Sequence, residues 1–155
     1  MIVSIGSDHR GLEARANVAR SVTAAGHEVD DCGTFSTESV DYPDIAAIVA
    51  RRVASGETDR GILLCGTGIG VSIAANKIQG IRAALCHDLH TAEMSRRHND
   101  TNVLCLSAEM APELAQSIIE LWLAMPFDGG RHQRRVDKIA KLECGRLQEE
   151  RPDIA

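Results

Sequence analysis

No apolar run in this 155-residue chain approaches the ~20 residues that a membrane span requires. Met1 leads straight into a strand-like segment, without the charged region and cleavage site of a secretory signal. The five cysteines, at 32, 65, 86, 105 and 144, form no CxxC pair, and their odd number argues against a disulfide framework. Together these absences lead us to expect a cytoplasmic protein with reduced thiols. A basic excess is also missing: the formal net charge is -5, whereas nucleic-acid binders usually carry a surface that neutralises phosphates. There is no HExxH, no internal repeat, no low-complexity segment and no linker, so residues 1–155 read as one domain with a full core.

What is present alternates. Ile2–Gly6, His27–Asp30, Arg60–Cys65, Ile81–Cys86 and Asn102–Leu106 read as strands, the second polar enough to be an edge. Between them lie helical patterns at Gly11–Ala25, Pro43–Ala54, a short segment after Cys65, and Asp88–Arg97. Pro112–Ala124 is a long apolar-striped helix, and after the break at 126–130 a charged helix runs from Arg131 to about Glu149. Strand–helix alternation predicts right-handed crossovers and a parallel sheet covered on both faces, a three-layer α/β/α sandwich of Rossmann-like type. Ligands of such sheets sit at the carboxyl ends of strands. The polar groups Ser7-Asp8-His9 and Cys65-Gly66-Thr67, with His98-Asn99-Asp100 after the fourth strand's helix, are expected to converge on one pocket.

The segment Gly61–Lys77, GILLCGTGIGVSIAANK, carries the strongest chemistry. An apolar strand delivers Cys65 into a loop with glycine at 66, 68 and 70 ahead of a helix, so several N–H groups can point at one anion beside a thiol. A thiol near a helix N-terminus becomes a usable base or nucleophile. GTGIG is one residue short of a dinucleotide fingerprint, although Asp88 stands near the place of its ribose-binding acid. Asp8 can serve a site or cap the first helix. His98 can serve a site or simply complement a helix dipole. His87 and His90 have ligand-like spacing but no third ligand, and read as surface residues. Arg131 and Arg135, one helical turn apart, can hold a phosphate or pair with Asp137 and Glu143.

Read together, GSDHRG at 6–11, DYPDIA at 41–46, CGTGIGVSIAANK at 65–77, SRRHNDTNVL at 95–104 and GGRHQRRV at 129–136 resemble the ribose-5-phosphate isomerase B family in order and spacing. Its relatives include galactose-6-phosphate isomerase subunits. The resemblance implies a sugar-phosphate aldose–ketose isomerase that needs no metal or cofactor. It also implies a five-stranded parallel sheet, an extended C-terminal helix, and a homodimer or tetramer with sites shared between subunits. By this likeness Cys65 is the base, His98 helps open the sugar ring, and Asp8 and Thr67 handle hydroxyl protons. Gly66, Gly68, Ile69 and Gly70 form the loop that holds the enediolate oxygens. His9, Arg131 and Arg135 match phosphate ligands, while Tyr42 and Asn99 line the sugar. Arg10 departs from the likeness, since the family more commonly has a small residue there. The alternatives are an isomerase of a four-carbon, six-carbon or deoxy sugar phosphate, an inactive phosphosugar-binding subunit, and a nicotinamide enzyme.

Overall fold

A computed structural model of the chain describes residues 1–146. Five parallel strands, β1 (Ile2–Ser7), β2 (Glu28–Asp31), β3 (Arg60–Cys65), β4 (Ala83–Leu85) and β5 (Val103–Ser107), form one sheet in the order β2-β1-β3-β5-β4. The central strands β3 and β5 are apolar over most of their length because both of their faces are covered. Ile62-Leu63-Leu64 and Val103 to Leu106 are essentially inaccessible to solvent. The polar strand β2 lies at an edge, as its composition predicts.

The helices are α1 (Leu12–Ala24), α2 (Tyr42–Ser55), α3 (Ile69–Ala75), α4 (Leu89–Asn99), α5 (Pro112–Ala124) and α6 (Arg131–Glu143), with a 3₁₀ turn at His9–Gly11. Helices α1, α4 and α5 cover one face of the sheet, over a core of Val3, Ile5, Ile62, Leu64, Leu104, Leu106 and Trp122. Helices α2 and α3 cover the other, over Leu63, Cys65, Val103 and Cys105. Cys86 and Cys105 are core thiols, as their apolar surroundings in the sequence suggest.

Helix boundaries follow local chemistry. Pro43 fits the first turn of α2, and Gly56, at φ 77°, ends it in the left-handed conformation. Asp88 accepts the Thr91 amide at 2.7 Å while Thr91 Oγ1 accepts the Asp88 amide at 3.3 Å, a reciprocal cap on α4. That commitment removes Asp88 from any ribose-binding part. The last helix is shorter than its charge pattern predicts. It stops at Glu143 because Gly145 turns left-handed at φ 62° and the Arg146 amide closes back onto Lys141 O at 2.9 Å. The rest of the predicted span, 147–149, lies outside the described residues.

Successive strands reverse direction of travel across the sheet beside β1: the chain steps from β1 out to β2, then returns to the opposite side for β3. This is the point at which open parallel sheets leave a crevice above their strand ends.

Candidate active site

The register of β1 on β3 pairs Ser7 with Leu64, so Asp8 and Cys65 emerge side by side from the sheet. Asp8 is 5% exposed, and its Oδ1 accepts the Arg10 amide at 3.0 Å, so it caps the 3₁₀ turn at the strand end. His9 Nδ1 accepts the Val40 amide at 3.3 Å. This fixes the neutral tautomer with its proton on Nε2, leaving that nitrogen as a donor.

Cys65 Sγ accepts a hydrogen bond from the Gly68 amide at 3.2 Å. The loop reaches this shape because Gly68 is left-handed, at φ 77°, and a Cβ there would meet Leu106 backbone at 2.9 Å. Thr67 and Ile69 are exposed on the loop, and Thr67 Oγ1 accepts the Ile69 amide at 3.3 Å. A Cβ on Gly70 would lie 2.7 Å from the Tyr42 ring, so the first residue of α2 is laid directly on the loop. The β5 end braces the other side: Ala108 N donates to Cys65 O at 2.9 Å, and Ser107 Oγ donates to Gly66 O at 2.7 Å. Asp8, His9, Tyr42 and Cys65 to Gly70 thus form one continuous surface.

His98, Asn99, Arg131 and Arg135 do not join it within the chain, contrary to the expected convergence on one pocket. Helix α4 begins above the carboxyl end of β4 and must descend to start β5, so its last turn lies at the amino edge of the sheet. There Asn99 O and Asp100 O accept Arg82 Nε, each at 3.0 Å, and Gly61 N donates to Asn102 O at 2.9 Å. Arg82 and Gly61 both precede or open strands. The chain therefore presents two half-sites at opposite edges of its sheet.

The second half-site contains residues that the sequence did not single out. The imidazoles of His98 and His132 stack with centroids 4.1 Å apart and planes 5° from parallel. Asp128, hydrogen-bonded to Arg97 Nε at 3.1 and 3.2 Å, is held below the usual carboxylate range by that guanidinium. Burial pushes the His132 pKa down, and the neighbouring His98, Arg131 and Arg135 push it further. His98, Asp128 and His132 keep their ligand atoms within 4.8 Å of one another, which makes them the one group among the described residues able to hold a metal. A metal lies in the plane of each imidazole it binds, however, and two parallel stacked rings cannot both meet that condition as they stand. Arg131 and Arg135 are exposed on α6 above this cluster, while His87 and His90 are exposed elsewhere and join no such group among the described residues.

A family model described as Ribose/Galactose Isomerase matches residues 3–139. The chain is 47% identical to ribose-5-phosphate isomerase B of Escherichia coli over 142 residues, covering 91% of this chain and 95% of that protein. It is 42% identical to ribose-5-P isomerase B of Listeria innocua over 144 residues, covering 92% and 97%. Among solved structures, Clostridium thermocellum ribose-5-phosphate isomerase B superposes with a TM-score of 0.91 at 49% identity, over 95% of this chain and 100% of that one. The type B ribose 5-phosphate isomerase of Trypanosoma brucei gives 0.89 at 50% identity, over 91% and 97%.

Proposed function

The chain belongs to the ribose/galactose isomerase family, and from that premise we propose that it interconverts ribose 5-phosphate and ribulose 5-phosphate through an enediolate. One observation carries the reading: a thiol, Cys65, sits at a strand end with the Gly68 amide directed at its sulfur and with Asp8 beside it.

The reaction moves two protons and no net electrons. Cys65, as thiolate, takes the proton from C2 of the open-chain aldose, and the electron pair passes through the new C1–C2 double bond to O1. Backbone N–H groups of Gly66 to Gly70 meet the charge as it develops. Such preorganised donors are worth roughly 3 kcal/mol each. Return of the proton from Cys65 to C1, with transfer of the O2 hydroxyl proton to O1, leaves the ketose. Thr67 and Asp8 are the groups at hand for the hydroxyl protons, and Tyr42 and Ile69 wall the sugar at Gly70.

His98, Asn99, Arg131 and Arg135 serve the same reaction in a homodimer, or a pair of dimers, where the second half-site of one subunit closes over the first half-site of its partner. His98 then opens the ring, Asn99 contacts the sugar, and Arg131 and Arg135 join His9 on the phosphate. Support comes from the separation of the two groups within one chain, since neither half-site holds a base, an oxyanion loop and a phosphate clamp together.

The test is kcat/KM over a panel of aldose phosphates of four to six carbons, alongside Cys65→Ala. Turnover of ribose 5-phosphate within about 10⁴–10⁸ M⁻¹s⁻¹, the ordinary enzymatic range, and its near abolition in Cys65→Ala with binding retained, are expected. Because galactose stands beside ribose in the family's description, a six-carbon substrate preferred over ribose 5-phosphate would replace the assigned substrate. An active Cys65→Ala protein would remove the cysteine from the base role.

A further inference from the structure

The Arg10 side chain, although exposed, folds back over the loop that follows β3. Its guanidinium lies over Gly66, so close that a Cβ on that glycine would fall 2.6 Å from Nη1 and 2.7 Å from Cζ. From there Nη2 reaches Glu109 Oε1 at 2.8 Å across 99 residues of sequence. Glu109 is not an incidental surface acid. Its own amide donates to Ser107 Oγ at 3.1 Å, and that hydroxyl donates to Gly66 O at 2.7 Å. The turn after β5 is therefore tied to the oxyanion loop, and it delivers a carboxylate to the place where Arg10 rests. Arg10 also follows His9, whose Nε2 is the free donor in the crevice.

The pair is open to solvent: the Arg10 and Glu109 side chains are 59% and 68% exposed. An exposed ion pair of this kind shifts an equilibrium by only about five-fold at most. A phosphate dianion offers the same guanidinium two parallel, charge-assisted bonds, which are stronger. Glu109 thus holds the cation in a defined position without holding it tightly.

We propose that Arg10 is a specificity-determining residue, parked on Glu109 in the free enzyme and transferred to the substrate's phosphate on binding, with Glu109 as the competing acceptor. The assignment rests on the sugar-phosphate reading above. It makes substrate charge at that end the selected property, and it makes Glu109 a brake on affinity.

The two residues must then act with opposite signs. In calorimetric titrations of the full-length protein with inorganic phosphate, Arg10→Gln raises Kd about ten-fold or more, the loss of a charge-assisted contact. Glu109→Gln lowers Kd by about three- to five-fold. The double variant behaves as Arg10→Gln alone, because Glu109 acts through Arg10. Arg10→Lys recovers part of the affinity as a point charge. In turnover, Arg10→Gln raises KM with kcat nearly unchanged, the pattern of uniform binding.

Equal effects of Glu109→Gln with and without Arg10 would reduce Glu109 to a general field and overturn the transfer. Shifts of the same sign in both single variants, or a fall in kcat without a change in KM, would make the pair a brace for the loop and also overturn it. Absence of saturable phosphate binding to the unmodified protein would fell the proposal together with the phosphate role of His9. Phosphate binding with no turnover of ribose 5-phosphate would fell only the assigned substrate.

Discussion

Cys65 and His132 show how placement decides what a titratable side chain can do. Cys65 stands at a strand end with an amide aimed at its sulfur, whereas burial drives the Cys105 thiol far above its ordinary range, beyond use as a base. His132 resists protonation because it is buried and faces His98, Arg131 and Arg135, with Asp128 opposing them. A folded pKa below the unfolded value of about 6.5 means that the unfolded chain takes up this proton first. Stability is therefore lost as pH falls below about 6.5. Thermal midpoints recorded between pH 7 and 5.5 should decline, and His132→Asn should flatten that slope; an unchanged slope would contradict the shift. For His98, the proposed role in ring opening supplies a distinguishing test. His98→Asn should lower kcat/KM for ribose 5-phosphate by about 10²–10⁴-fold. The loss should be far smaller for erythrose 4-phosphate, whose phosphorylated O4 prevents closure of a five-membered ring. Equal losses on both would exclude that role.

Among the elements, the glycine loop after β3 was the most legible from sequence, because its chemistry is local: glycines and a cysteine between a strand and a helix declare themselves. Gly68 carries most of the geometric demand. Gly68→Ala adds left-handed strain and a contact of 2.5 Å with Leu85 Cδ1, which should cost roughly 2–4 kcal/mol in denaturant unfolding. A loss below about 0.5 kcal/mol, the ordinary range for surface changes, would show that the loop can relax. Strand order was not legible. Apolar patterning says that β3 and β5 are covered on both faces, but not that β5 inserts between β3 and β4. The half-exposed Ala83-Ala84-Leu85 of β4 is the edge signature, and it is visible only once neighbours are known. Asp128, His132 and Glu109 escaped notice for the same reason. Asp128 acquires its place from its backbone N–H, which donates a hydrogen bond to Arg97 O at 3.0 Å, and Glu109 from Arg10, 99 residues away.

For the whole molecule, the placement of the two residue groups at opposite edges of one sheet means that the proposed reaction calls for assembly. Co-expressing Cys65→Ala with His98→Asn chains tests this directly, since each is inactive alone but a mixed dimer has one intact site of two. Random pairing makes half the dimers mixed, so activity should return to roughly a quarter of the unmodified level. No recovery would mean that both residues serve the same chain. The scarcity of aromatic residues gives such experiments a clean optical readout. The chain has one tryptophan and one tyrosine. Trp122, on the sheet-facing side of α5, is fully buried and hydrogen-bonded to Thr101 Oγ1 at 3.1 Å, with the Arg60 and Arg96 guanidinium groups over its ring at 5.1 and 5.8 Å. Tyr42 lies on Gly70 at the crevice. Indole emission therefore reports the state of the core and phenol absorbance reports the loop, so that unfolding and ligand binding can be followed at separate wavelengths in the same unlabelled sample.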